Sequence, residues 1–261
     1  WRFRELCDQH GGWPVFYEVG REHLPLYIDQ GLTLLKLGEE ARVPLTTFAL
    51  EGNRHKHQRH LINKLEKEGG TFEILPQEAV APLLPELRAI SDDWLQKKST
   101  SEKRFSLGSF KPDYLAQIPL GIVRQNGKMV AFANLWPGGQ KVELSLDLMR
   151  YSSDAPLNVM EYLFLKLMLW GKQAGYPWFN LGMAPLARIE NRPIVPLWNR
   201  LTALLYHHGE HFYNFQGLRQ YKEKFEPVWE PRYLASPGGI ALPLILTNLI
   251  ALISGGLKGA I

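Results

Sequence analysis

Ile118-Pro-Leu-Gly-Ile-Val-Arg-Gln-Asn-Gly-Lys-Met-Val-Ala-Phe-Ala-Asn-Leu135 is two apolar runs joined by a tight turn, and Lys141-Val-Glu-Leu-Ser-Leu-Asp-Leu-Met149 follows a short Gly-containing link. Asn-Gly at 126–127 suits a turn that needs positive φ at both central positions, so Ile118 to Arg124 and Lys128 to Leu135 read as a hairpin. The third run alternates. Val142, Leu144, Leu146 and Leu148 face one way, and Glu143, Ser145, Asp147 and Met149 the other, the period of a strand with one apolar face. The segment is predicted to be a three-strand antiparallel meander.

Downstream of it, Pro156 to Ala174 reads as a strongly apolar helix closed by Gly175, and Trp178 to Gly182 as a buried strand. A helix near Val195 to His208 and a last strand near Trp229 to Leu234 complete that side. Upstream lie a basic helix over Asn53 to Glu68, a short strand Thr71 to Leu75, and an amphipathic helix from Ala79 to Lys97. Residues 98–112, rich in Ser and Lys, read as a surface loop. Before them, Trp13 to Val19, Arg21 to Gln30 and Leu32 to Leu37 form a β-α-β half-unit after a short N-terminal helix. The expected class is a mixed α/β, or α+β, fold with a mostly antiparallel sheet. Its expected divisions are residues 1–52, 53–238 and an apolar C-terminal helix over 239–261.

Composition excludes little. The chain has 261 residues, 45% of them hydrophobic, which is enough for a sizeable core. A formal net charge of +4 permits an anionic partner without requiring one. The single cysteine, Cys7, rules out an intramolecular disulfide. No apolar run reaches the roughly 18 residues that span a bilayer. Trp1-Arg2-Phe3-Arg4 opens the chain without an initiator methionine, so it reads as part of a longer protein.

Four strings then narrow the reading. Leu144-Ser-Leu-Asp-Leu-Met-Arg-Tyr151, Phe179-Asn-Leu-Gly-Met-Ala-Pro185, Gly209-Glu-His-Phe-Tyr213 and Gly217-Leu-Arg-Gln-Tyr-Lys-Glu-Lys-Phe225 occur in that order, with Pro227-Val-Trp-Glu-Pro-Arg-Tyr-Leu234 behind them. Together they resemble the C-terminal domain of bacterial phosphatidylglycerol lysyl- and alanyltransferases, the multiple peptide resistance factors. The resemblance implies tandem GNAT-like acyltransferase units, the first incomplete here, behind an N-terminal transmembrane domain. It implies transfer of an alanyl or lysyl group from aminoacyl-tRNA to phosphatidylglycerol at the cytoplasmic face of the bacterial inner membrane. Lower negative membrane charge, and resistance to cationic antimicrobial peptides, would follow.

In this setting Asp147, Arg150 and Lys222 are the expected catalytic residues. A carboxylate suits proton acceptance from the lipid hydroxyl, and cations suit phosphate or an oxyanion. Local spacing alone fits a strand-end ion pair for the first two and a solvated loop around Lys222 equally well. The resemblance moves them to the site. Asn180, Glu161, Tyr213, Arg219, Tyr221 and Lys224 are expected around the substrate, with core hydrogen bonding the plain alternative for Asn180 and Glu161. Arg54, Lys56, Arg59 and Lys64 form a basic face suited to tRNA phosphates, or an ordinary solvated helix. No metal is expected, because His55 and His57 diverge on a helix and no carboxylate or cysteine completes a set. No cofactor is expected, because the ester donor carries its own activation. Tyr151-Ser-Ser-Asp-Ala-Pro-Leu-Asn158 lacks the glycines of a pyrophosphate-binding turn, which disfavours acetyl-CoA. The alternatives are a Fem-type aminoacyltransferase acting on a peptidoglycan precursor, although no long heptad arm is present, and a catalytically silent binding module. The C-terminal apolar segment is expected either to dock on the core or to lie at a membrane surface.

Overall fold

The structure, a computed structural model, describes residues 1–98, 108–185 and 215–254, and of residues 215, 216 and 254 the backbone alone. Among these the strands are β1 (Phe16–Val19), β2 (Thr33–Pro44), β3 (Gly70–Leu75), β4 (Leu120–Gln125), β5 (Lys128–Pro137), β6 (Leu144–Tyr151), β7 (Trp178–Pro185) and β8 (Val228–Ser236). The helices are α1 (Arg2–Gln9), α2 (Leu24–Ile28), α3 (Lys56–Lys67), α4 (Leu84–Lys97), α5 (Pro112–Leu115), α6 (Val159–Gln173), α7 (Phe215–Glu223) and α8 (Leu242–Ser254). The expected helix near 195–208 lies outside the described residues. The mixed α/β class with mostly antiparallel strands is observed.

The chain divides into two compact units, Val43–Asn180 and the combination of Trp1–Arg42 with Leu181–Ile261. These cuts differ from the sequence divisions at 52 and 238 because β2 and β7 each run from one unit into the other.

In the Val43–Asn180 unit, β3, β4, β5 and β6 pair antiparallel in that order, as the meander predicted. Strand β7 joins β6 in parallel through Leu144↔Phe179 and Ser145↔Asn180. Val80, Leu87 and Ile90 before and along α4 pack with Leu120, Ile122, Phe132 and Leu148 from the strands. Helix α3 buries Leu61, Ile62 and Leu65, a stripe at helical spacing. Burial of each contributes roughly 1.5–3 kcal/mol. The alternation expected along β6 breaks at one place: Asn134 lies between the pairs Ala133↔Met149 and Leu135↔Leu146, so it faces both Asp147 and Leu148. This is a β-bulge. Of the expected loop over 98–112, residues 99–107 lie outside the described residues, and Pro112 begins α5 at the helix position proline favours.

In the other unit, β8 lies between β1 and β2, antiparallel to both. Its alternation separates two cores. Leu35 and Leu234 face Ile245 and Leu246 of α8, while Val19 and Ala235 pack with Leu24 and Tyr27 at α2. The C-terminal helix therefore docks on the sheet, leaving Leu244 and Leu252 exposed. Strand β2 runs well past the expected Leu37, because the charges between Gly38 and Arg42 are paired across the sheet. Arg42 meets Glu230, and Arg232 meets Glu40.

Candidate functional site

Asp147 stands at the bulge, half-exposed. Tyr114 of α5 donates its hydroxyl hydrogen to Asp147 Oδ2 at 2.6 Å. The same hydroxyl oxygen accepts from Trp136 Nε1 at 2.5 Å and from Asn134 Nδ2 at 3.3 Å. Burial, with the Asp147 bond next in weight, pushes the Tyr114 phenol up to about 12, so it stays a neutral donor. Asn134 is fully buried in an apolar strand, and its Oδ1 accepts the backbone N–H groups of Asp147 at 3.1 Å and Leu148 at 2.6 Å. One side chain thus replaces the ladder bonds the bulge disrupts. The result is a carboxylate fixed through one oxygen on a rigid strand.

Arg150, three residues along, is 8% exposed, with its guanidinium 4.2 Å from the Trp94 ring centroid and Nη1 donating to the Met149 carbonyl at 2.9 Å. Asp147 and Arg150 are thus held by different elements, α5 and α4. Asn180 donates from Nδ2 to Glu143 Oε1 at 2.9 Å. Glu161 lies buried in the first turn of α6, where the helix dipole favours a carboxylate. The 151–158 turn carries Asp154, paired with Lys128, and its Ser153 N–H is taken by Asp93. Those carboxylates suit an anionic pyrophosphate poorly.

In the other unit, Lys222 sits on α7, a helix rather than the solvated loop that one reading of the sequence allowed, and is 6% exposed. Its ammonium donates to the carbonyls of Gly182 and Met183, both at 2.9 Å. Gly182 adopts φ 76, a conformation that glycine takes freely, and two successive carbonyls of β7 meet one cation there. Burial pulls the Lys222 ammonium down to about 8, opposed first by Glu40 and then by Glu18. Arg219 is occupied structurally: it bonds Glu39 at 2.5 Å, pairs with Glu223 at 3.4 Å and lies 3.9 Å from the Trp229 ring centroid. Burial pushes the Glu39 carboxyl up, but hydrogen bonds from Lys36 and Arg219 outweigh it and hold it below its usual range. Tyr221 meets Phe225 edge-on, and Lys224 lies 5.2 Å from the Tyr221 ring centroid. Tyr213 lies outside the described residues.

Of the basic face, Arg54, Lys56 and Lys64 are exposed. Arg59 instead donates to the carbonyls of Leu50 and Gly52, bracing the turn before α3. Lys64 reaches Glu68 only at 3.9 Å, a weak solvated pair. Among the described residues no group of three metal-ligating side chains converges.

The family model for the C-terminal domain of phosphatidylglycerol lysyltransferase matches residues 1–236. The chain belongs to this family. The phosphatidylglycerol lysyltransferase of Bacillus subtilis (strain 168) is 40% identical over 261 residues, covering 99% of this chain. The chain spans only 30% of that relative and 26% of the one from Staphylococcus xylosus, which is 39% identical over 221 residues, 84% of this chain. The solved structure of L-PGS from Bacillus licheniformis superposes with a TM-score of 0.86 at 40% identity, covering 97% of this chain and 77% of that one. FemX, at 10% identity and a TM-score of 0.59 over 93% of this chain and 76% of that one, shares the fold alone.

Tyr114, Asn134 and Trp136 escaped the sequence reading. Asn134 had a usable signal, a lone amide inside Val130-Ala-Phe-Ala-Asn-Leu135. Tyr114 had none, since it falls between the loop read over 98–112 and the strand read from Ile118. Glu18 and Glu40 had none either, because nothing local brings them toward Lys222.

Proposed function

We propose that this domain transfers an alanyl or lysyl group from aminoacyl-tRNA to a glycerol hydroxyl of phosphatidylglycerol. The observation that carries the reading is the half-exposed Asp147 carboxylate, locked through Oδ2 by a neutral tyrosine, in a chain of the phosphatidylglycerol lysyltransferase family. Among the described residues only Oδ2 of that carboxylate is engaged, which leaves Oδ1 to accept a proton.

The lipid hydroxyl oxygen attacks the ester carbonyl carbon as its proton passes to Asp147. The tetrahedral intermediate then expels the ribose oxygen, which takes that proton back. One ester bond forms, one breaks, and no proton is gained or lost. Arg150 and Lys222 are assigned to negative charge, on the oxyanion or on phosphate. Asn180, Glu161, Tyr213, Tyr221 and Lys224 are assigned to orienting substrate, and Arg54, Lys56 and Lys64 to tRNA phosphates. Arg219 and Arg59 are supports, given their bonds to Glu39 and to the 50–52 turn. The tandem GNAT-like ancestry, the N-terminal transmembrane domain and the cytoplasmic face of the inner membrane complete the reading. No helix among the described residues is long and apolar enough to cross a membrane.

The test is thin-layer chromatography of lipids after incubation with phosphatidylglycerol vesicles and separately charged, radiolabelled lysyl- and alanyl-tRNA. Labelled aminoacyl-phosphatidylglycerol is expected with at least one donor, and its loss in Asp147→Ala and Lys222→Ala variants that keep their circular dichroism spectra. Transfer at parental rates by both variants would remove these residues from the mechanism. Absence of any lipid product with either donor would overturn the reaction itself.

A further inference from the structure

Between Gly108 and Tyr114 the chain forms a strap against the β5–β6 bulge. A Cβ at residue 108 would lie 2.7 Å from both the carbonyl carbon and the carbonyl oxygen of Asp147, and 2.8 Å from the Leu148 nitrogen. Unbonded carbon atoms keep about 3.5–4.0 Å apart, so only a bare Cα lies this close to the Asp147–Leu148 peptide. The obstacle is the backbone of a strand paired along its length with β5, which cannot swing aside as the tip of a side chain does.

The rest of the strap is anchored. Phe110 packs on the core cluster under α4, meets Phe132 edge-on at 6.5 Å between ring centroids, and has the Arg88 guanidinium 4.6 Å from its own centroid. Tyr114 packs on the same cluster and donates to Asp147 Oδ2 at 2.6 Å. Strap and strand therefore meet twice at one residue, glycine against the Asp147 backbone and the tyrosine hydroxyl against its carboxylate. From β5, Asn134 Oδ1 holds the N–H groups of Asp147 and Leu148. A Cβ at residue 108 calls for roughly 0.7 Å or more of displacement. A 2.6 Å bond between oxygens lengthens by only about 0.4 Å before it leaves the ordinary range. Whether the strap lifts or the peptide yields, the Tyr114–Asp147 bond is the one that opens.

We infer that Gly108 is a positioning residue for Asp147: its missing side chain lets the strap lie against the Asp147–Leu148 peptide, and that seat brings the Tyr114 hydroxyl to the carboxylate. This rests on the part given above to Asp147 in transfer. Gly108 acts through Tyr114, so its effect vanishes where residue 114 has no hydroxyl.

The test reads the Tyr114 13Cζ resonance in tyrosine-labelled protein, assigned by its absence in Tyr114→Phe, for the parent, Gly108→Ala and Asp147→Ala. No substrate is needed. In Gly108→Ala the resonance is expected to move toward its position in Asp147→Ala, where the acceptor is gone. The kcat for aminoacyl transfer should fall about tenfold in Gly108→Ala. The same change made in Tyr114→Phe should cost no more than about twofold further, since both act on one bond. An unmoved resonance in folded Gly108→Ala overturns the inference. So do equal losses in the two backgrounds, which a general loosening of the unit would give. If Gly108→Ala does not fold, the parent decides: a nuclear Overhauser effect between the Gly108 α protons and the Leu148 amide proton is expected, and its absence overturns the inference. A moved resonance with unchanged kcat supports the seat of the strap and overturns its part in transfer. A parent that makes no aminoacyl-lipid overturns the proposed reaction, while the resonance still decides the seat.

Discussion

Burial holds the Lys222 ammonium at about 8 against an ordinary 10.5, so between those pH values the unfolded chain binds more protons than the folded one. Stability contributed at this position therefore rises as pH increases through the window, and below it the buried charge is a cost. Relative to Lys222→Met, the parent should gain up to ~3 kcal/mol of unfolding free energy between pH 7.5 and 10.5. Urea melts of both proteins at the two pH values measure this, and parallel curves would mean the ammonium is not desolvated. Tyr114→Phe is the matching experiment at Asp147. It removes a hydrogen bond to a carboxylate while leaving the ring packed on the core cluster that includes Leu87, Ile122 and Phe132, so the fold should persist. Transfer should fall about tenfold as the freed carboxylate loses its orientation. An unchanged kcat would show that the tyrosine merely fills space.

At the scale of elements, the β5–β6 bulge depends on one amide. Asn134→Ala strands two buried N–H groups, at Asp147 and Leu148, and should cost about 2–4 kcal/mol in denaturant melts, whereas Asn134→Asp keeps an acceptor oxygen. A loss under 1 kcal/mol in the alanine variant would mean that water takes over the bonds. The meander itself was legible, since Asn126-Gly127 and the alternation in 141–149 are local signals. The bulge was not, because alternation specifies which residues share a face and says nothing of where one strand gains a residue on its partner. Strand β2 was half legible for a related reason. Leu32 to Leu37 reads as a strand by its apolar character, but Glu39, Glu40 and Arg42 become strand residues only through Lys36, Arg219, Arg232 and Glu230.

For the whole molecule, charge gives the clearest expectation. If α3 meets tRNA, Lys56→Gln and Lys64→Gln should each weaken binding of aminoacyl-tRNA and reduce the slope of log affinity against log salt by about 1. Filter binding at several salt concentrations reads this, and an unchanged slope would leave α3 a solvated helix. Of the candidate site, Asp147, Arg150 and Lys222 were found through strings resembling a family, while Tyr114 and Asn134, which hold Asp147, lie on other elements outside those strings. The unit boundaries were illegible for the same reason. Nothing local to Thr33-Leu-Leu-Lys36 announces that its partners are Tyr233 to Ser236. That pairing bears on how the protein is made. Strands β1 and β2 leave the ribosome early and stay without their shared neighbour until β8 emerges, whereas Val43–Asn180 is contiguous and can fold meanwhile. During synthesis the apolar Val15 to Leu37 stretch is thus the segment most in need of a chaperone.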